Sequence, residues 1–355
     1  MFGKSRLPVA IDIGSHAVKL VQLEQTKKGL ALARLGMASL SPEAVVDGVV
    51  RDHEEVMRAV EELISAERAK AKEVVVALSG SAAVVRTLLL PEMRGLALEA
   101  AVEAEAAQIL PFPIEEVRLS HTRLGRVEVE GQRMEEHLLV AVRRKALSDI
   151  IELLKALKLE PKIVDVNFLA LEGAYELAGG REEGEGPPGA VALVDIGASG
   201  TLVHVLGGSR TLLTRSIPLG GASVTKSLAG LFGVGRTEAE SIKIGVQNPP
   251  SPRAAADAVR AEVERLAREL GRTLQLLWKT FPEERVSRMV LSGGGAHLEG
   301  LPAYLSASLD LVVEMAQPFR SVTIPADLFD PEYVELLGPI AAVGAGLAYR
   351  AVEAA

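Results

Sequence analysis

The sequence predicts an α/β protein built from a duplicated domain, with a smaller α+β unit inserted into the first copy. Three observations carry this: a strand-turn-strand pattern that occurs twice, a middle region that alternates strands and helices, and a run of helices after the second copy. The pattern first appears as Val9-Ala10-Ile11, leading into Asp12-Ile13-Gly14-Ser15-His16-Ala17-Val18-Lys19 and then the apolar run Leu20 to Leu23. It returns as Val191-Ala192-Leu193-Val194, leading into Asp195-Ile196-Gly197-Ala198-Ser199-Gly200-Thr201 and then Leu202 to Leu206. A second turn follows in each copy, Lys27-Lys28-Gly29 and Gly207-Gly208-Ser209, with a third strand after it, Leu30 to Leu40 and Thr211 to Ile217. Glycine-bearing turns between apolar runs mark hairpins. Two matching three-stranded meanders this far apart indicate a duplicated domain rather than a short-period solenoid.

Between the copies, Ala83 to Leu90 reads as strand and Leu98 to Leu110 as helix. Val117 to Leu124 and His137 to Val142 read as strands, Lys145 to Leu157 as helix and Ile163 to Val166 as strand. This order suits a compact α+β subdomain. Gly179 to Gly189, rich in Gly, Pro and Glu, reads as a linker. After the second meander come helices at Val224 to Leu231, Glu238 to Ile244 and Arg253 to Trp278, the last two separated by Asn248-Pro249-Pro250-Ser251-Pro252. Val290-Leu291 then runs into Ser292-Gly293-Gly294-Gly295, and a helix follows at Leu298 to Ala307.

Composition excludes several classes of function. The 355 residues are 48% hydrophobic and 24% charged, an ordinary globular balance. A net charge of -8 argues against a nucleic-acid protein and against unaided binding to anionic lipid. With no cysteine, disulfides, thiolate zinc sites and cysteine nucleophiles are excluded, which fits a reducing compartment. No signal-type segment follows the basic Met1 to Arg6. No run reaches the ~20 apolar residues that span a bilayer, Leu336 to Tyr349 being too short and glycine-rich. The expectation is a cytoplasmic protein. The six histidines show no metal-ligand pairing at helical spacing.

A carboxylate at a strand end, followed by glycine and a hydroxyl residue, suits a phosphate-Mg site. Glycine lets the backbone approach closely, and N–H groups and hydroxyls take phosphate oxygens. Asp12 and Asp195 would hold Mg²⁺ through its water shell, which that ion gives up reluctantly. Lys19 would neutralise phosphate charge. Asp-Gly pairs are common in plain hairpins, but two matching loops favour a site. Gly293, Gly294 and Gly295 would let a flat base lie against the backbone. Glu240 and Lys243, three apart on a helix, share a face and would grip a ribose. Taken alone they would be an ordinary surface ion pair.

In this order the elements resemble the actin, heat-shock chaperone and sugar kinase superfamily, over nearly the whole chain. The resemblance implies the actin-like ATPase fold, duplicated ribonuclease H-like domains. It places Asp12, Gly14, Ser15, His16 and Lys19 in a first phosphate loop, with the backbone N–H of His16 as its contact. Asp195, Gly197, Ser199, Gly200 and Thr201 fall in a second, and Gly293 to Gly295 in an adenosine loop. Ala239-Glu240-Ser241-Ile242-Lys243 is similar to the helix whose Glu and Lys contact nucleotide in bacterial actins. More closely, the chain resembles the PilM family of type IV pilus assembly, in Asp12-Ile13-Gly14-Ser15 with Val18-Lys19-Leu20-Val21, Gln108-Ile109-Leu110-Pro111-Phe112, Val164-Asp165-Val166 and Ser292-Gly293-Gly294-Gly295. The insert falls where PilM and FtsA carry an extra α+β subdomain.

This resemblance implies a first subdomain of residues 1–82, 161–189 and 330–355, an insert of 83–160, a second subdomain of 190–220 and 276–329, and a helical one of 221–275. It implies ATP and Mg as ligands. It also implies binding of the cytoplasmic N-terminal peptide of the inner-membrane protein PilN, contact with other pilus platform proteins, and membrane attachment only through them. Many superfamily members have an acidic residue or Gln that positions the attacking water, where this chain has Asn167. Asn orients a water but cannot serve as its base, so the expectation is an ATP-binding adaptor that is at most a weak ATPase. A small-molecule kinase is disfavoured by Asn167. An FtsA-like filament former is disfavoured because Arg350 to Ala355 form no amphipathic tail.

Overall fold

The computed structural model describes residues 7–70, 72–129, 131–180, 189–208 and 210–354. Met1 to Arg6, Ser209 and most of the Gly179 to Gly189 linker lie outside them. The first meander is β1 (Val9–Ile13), β2 (Ala17–Thr26) and β3 (Gly29–Ser39). A two-stranded ribbon follows, β4 (Val45–Val46) and β5 (Val49–Val50), then helix α1 (His53–Ala66) and strand β6 (Glu73–Leu78). Asp52 caps α1 by accepting the Glu55 N–H, and Val56, Ala59, Val60 and Leu63 form its buried stripe. The insert holds β7 (Ala83–Pro91), α2 (Leu96–Ile109), β8 (Val117–Val129) and β9 (Gln132–Arg143). After it come α3 (Arg144–Ala156), β10 (Glu160–Val166) and α4 (Asn167–Leu177).

The second half repeats the plan with β11 (Ala190–Ile196), β12 (Thr201–Gly207) and β13 (Arg210–Ile217). Helices α5 (Gly221–Phe232), α6 (Arg236–Lys243) and α7 (Pro252–Thr280) precede β14 (Val286–Ser292), α8 (Leu301–Leu309) and β15 (Val312–Met315). The chain closes with α9 (Pro331–Ile340) and α10 (Ala342–Glu353).

The two five-stranded sheets run β10-β6-β1-β2-β3 and β15-β14-β11-β12-β13. In each, the meander is antiparallel and the two remaining strands are parallel to its first strand. Side chains of β1 and β6 are buried on both faces, as strands covered by helices must be. One core lies between the halves, where α4 and α10 pack with Val21, Leu32 and Leu35 of the first sheet and Leu193, Leu202 and Leu206 of the second. Gly346 lets these helices touch: a Cβ there would lie 1.7 Å from the Ala170 carbonyl oxygen.

Two arrangements differ from the sequence reading. The insert's own sheet has only three strands, in the order β7-β9-β8. β10, which ends the six-element order but falls in the range 161–189 given to the first subdomain, pairs with β6, and α3, expected in the insert, completes the outer core of the first sheet through Ile150, Leu153 and Leu154. Parallel pairing with a distant strand leaves no local signature. Likewise, the stretch around Thr323, placed by position with the second half, bonds to Leu30 and Leu32 at the edge of β3.

Candidate functional site

The two phosphate-loop candidates sit at the carboxyl ends of β1 and β11, the central strands of their sheets. Each closes with the same bond: Gly14 N–H donates to the Ala17 carbonyl at 3.0 Å, and Gly197 N–H to the Gly200 carbonyl at 2.9 Å. The loops meet across the cleft, where the Ser15 hydroxyl donates to the Ser199 hydroxyl at 2.9 Å.

Behind that contact lie both carboxylates. Lys19, the register partner of Asp12, bonds its Oδ2 at 3.0 Å. A side chain at Gly14 would press on that ammonium, its Cβ lying 2.7 Å from Lys19 Nζ. Asp195 accepts from the Ser292 hydroxyl at 2.9 Å. Burial pushes the Asp195 carboxyl up to about 6, with Asp12 adding to the rise and Lys19 and Ser292 opposing it.

The glycine loop follows Ser292 directly. Gly293 has φ +81°, and a Cβ there would lie 2.4 Å from the Ile196 carbonyl oxygen and 2.9 Å from Asp195 Oδ1. This is a position only glycine fills. Gly295 packs against Ile196, whereas Gly294 has open space on its Cβ side. One glycine of the three thus faces space and two serve close packing.

Glu240 and Lys243 pair at 2.7 Å on α6, and Glu240 also accepts from the Thr225 hydroxyl at 2.6 Å. Burial works against the Glu240 anion, but these two bonds outweigh it and hold the carboxyl below its ordinary range. Lys243 faces the start of α5, which is clamped to the second loop: Gly221 N–H donates to the Gly197 carbonyl and Ala222 N–H to that of Ala198, both at 2.9 Å. Next to this clamp, Ala222, Ser223, Lys226, Ala229 and Arg236 line a cavity of about 340 Å³. His16 lies on the same side of the cleft. Loss of solvent lowers its pKa, and Lys243, Lys19 and Arg236 add to that against the opposing pull of Glu240.

Two residues lie apart from the loop contacts. Thr201 is fully buried, and its hydroxyl donates to the Leu219 carbonyl at 2.7 Å, holding the turn before α5. Asn167 is the first residue of α4, nine-tenths buried, and its Oδ1 has no partner. The neighbouring Asp165 accepts its own Val166 N–H and faces Arg350 at 3.6 Å, so it serves α10. Lys226 and Arg236 at the cavity, and the buried Thr225 that bonds Glu240, had no signal in the sequence, since each is one polar residue on an amphipathic helix.

These groups fit a phosphate chain with a divalent cation. Two carboxylates face one cleft, one of them raised in pKa by burial. The orphaned Asn167 oxygen stands ready for a hydrogen-bond donor, and Gly294 leaves the backbone bare. Among the described residues no three His, Asp or Glu side chains converge on one point, so an ion at Asp12 and Asp195 would complete its shell with phosphate oxygens and water.

Duplicated halves, facing acidic loops and a glycine loop behind them define the actin-like ATPase fold. It is shared, at low identity, with the ethanolamine utilization protein EutJ from Carboxydothermus hydrogenoformans (18% identity, TM-score 0.55, 98% of this chain and 92% of that one). It is shared too with MreB5 of Spiroplasma citri bound to AMPPNP (13% identity, TM-score 0.53, 97% and 95%). The chain belongs to the type IV pilus assembly protein PilM family, whose profile matches residues 10–352. A solved PilM-PilN type IV pilus biogenesis complex is similar over 97% of this chain and 98% of that one, at 29% identity and TM-score 0.86.

Proposed function

We propose that this chain holds Mg·ATP between its two halves, turns it over slowly or not at all, and docks the cytoplasmic N-terminal peptide of a PilN-type inner-membrane protein at its insert. The observation that carries the reading is the meeting of the Asp12 and Asp195 loops at Ser15 and Ser199, in a chain similar throughout to a protein solved with PilN. A bound nucleotide would supply the negative charge that Lys19 and the loop amides neutralise. Asp12 and Asp195 would hold the cation through water. Gly293 to Gly295 would face the base, and Glu240 with Lys243 the ribose.

Asn167 would orient a water by its side-chain amide. An amide takes no proton at neutral pH, so the site positions a nucleophile without a base to activate it. Among the described residues no helix is long and apolar enough to cross a membrane. In this reading, which rests on the similarity to the PilM-PilN complex, membrane attachment is indirect, on the cytoplasmic side, through the partner peptide and other platform proteins.

Calorimetry with Mg·ATP, a phosphate-release assay and a synthetic partner peptide test this together. The expected results are saturable Mg·ATP binding that EDTA abolishes, and phosphate release far below the ~10 s⁻¹ of an ordinary enzyme. The peptide should bind at one site per chain. Rapid turnover, or no peptide binding, would overturn the corresponding half of the proposal.

A further inference from the structure

His204 lies in the middle of β12, inside the apolar run Leu202 to Leu206, and is fully buried. In register it stands opposite Thr214 of β13, and Leu206 two residues on stands opposite Thr211. Cross-strand partners share a face, so His204, Thr214 and Thr211 form one polar row on the second sheet. Both ring nitrogens are engaged. Nδ1 lies 2.8 Å from the Phe168 carbonyl oxygen. A carbonyl only accepts, so Nδ1 carries the proton. Nε2 lies 3.0 Å from the Thr211 hydroxyl and 3.7 Å from Glu172 Oε2. The Phe168 ring stands edge-on at 6.2 Å. Phe168 follows Asn167 directly, so His204 grips the first turn of α4 beside Asn167.

The other end of the row carries the insert. The Thr87 hydroxyl of β7 donates to the Thr211 carbonyl at 3.1 Å. Arg86 donates to the Thr214 hydroxyl at 2.9 Å, which itself donates to the Val85 carbonyl at 2.7 Å. Arg210 beside them pairs with Glu136 of β9. The insert thus rests on the two threonines nearest His204. An unbroken path runs from Thr87 through Thr211 and His204 to Phe168 and Asn167.

We infer that His204 is a positioning residue: it sets the first turn of α4, and with it Asn167, according to where the insert sits on β13. A shift of the insert along β13 moves Thr211, and the buried imidazole cannot let go of either partner without stranding a polar atom away from water. The link is reciprocal, as any equilibrium coupling must be. A change at the first turn of α4 biases the insert by the same factor. What the ends sense, nucleotide on one side and peptide on the other, rests on the proposed function; the link itself does not.

Hydrogen exchange on the full chain tests the link without any ligand, using Thr87→Val, Thr211→Val, His204→Asn and the pairs with Thr87→Val. Thr87→Val changes one exposed hydroxyl in the insert. It is expected to speed exchange of the amides from Leu169 to Ala174 about threefold, within the range that one hydrogen bond supports. His204→Asn keeps a donor for Phe168 but cannot reach Thr211, so in that background Thr87→Val should leave α4 unchanged. Should His204→Asn fail to fold, the near-isosteric Thr211→Val completes the same cycle. A response to Thr87→Val confined to β7 and β13, or one that persists undiminished without His204 or the Thr211 hydroxyl, would overturn the inference. With Mg·ATP and a partner peptide, the same variants should bring the ratio of peptide affinities with and without nucleotide to one. If the wild-type chain binds neither ligand, the proposed function fails while the exchange cycle still decides the link.

Discussion

The loops at Asp12 and Asp195 close with matching backbone bonds, yet they keep their carboxylates in opposite ways. Asp12 faces Lys19 across the ladder, and the two pair. The register partner of Asp195 is Leu202, and a hydroxyl from Ser292 is its hydrogen-bond donor. The same turn therefore holds a neutralised carboxylate in one half and a desolvated one, raised to about 6, in the other. Duplication has kept the backbone that shapes the cleft. Charge is balanced for the cleft as a whole, because Lys19 acts on both acids.

Replacing each acid by its amide probes this contrast most strongly. The folded pKa of Asp195, about 6, lies above the ordinary 3.8. Its contribution to stability is thus full below about pH 4 and lost as pH rises through about 6. Asp195→Asn is expected to stabilise the protein at pH 7 by on the order of 2 kcal/mol and to flatten its stability profile between pH 4 and 6, while weakening Mg·ATP binding. Asp12→Asn strands the Lys19 ammonium and should cost about 1–3 kcal/mol. Urea denaturation across that pH range reads both, and equal signs would erase the difference between the loops. A smaller effect comes from Lys19→Met. The Asp195 carboxyl, followed by carbon NMR, should titrate roughly half to one unit higher; an unmoved midpoint would mean that Lys19 serves Asp12 alone. The smallest is Ser15→Ala, which removes the hydroxyl contact across the cleft. Its cost should stay within about 0.5 kcal/mol, and a loss several times larger would make that bond a main tie between the halves.

Legibility in the sequence followed the range of the interaction. The repeated loops could be read because Asp-Ile-Gly after an apolar strand is local chemistry, and the duplicated α/β fold followed from them. Helical spacing put Glu240 and Lys243 on one face, where they pair, but their assignment to a nucleotide site came from the resemblance. What depended on distant pairing was hidden. Nothing near Leu153 says that its helix covers the first sheet rather than the insert, and nothing near Thr323 points to β3. The hydroxyl of Thr201, a phosphate candidate by position, faces Leu219 because the strand's alternation turns it inward. His204 was invisible for the same reason: its partners lie on α4 and β13, and a single histidine in an apolar strand reads as core.

The crossing of α4 and α10 at Ala170 and Gly346 brings backbone against backbone, with no side chain between them. Ordinary helix contacts adjust by letting side chains change rotamer, which allows one element to creep past another. Here there is nothing to rearrange, so the two helices must turn about that point like blades on a rivet. The pivot also lies close to the site: two residues from it, a Cβ at Gly344 would come within 4.0 Å of the Asp12 side chain.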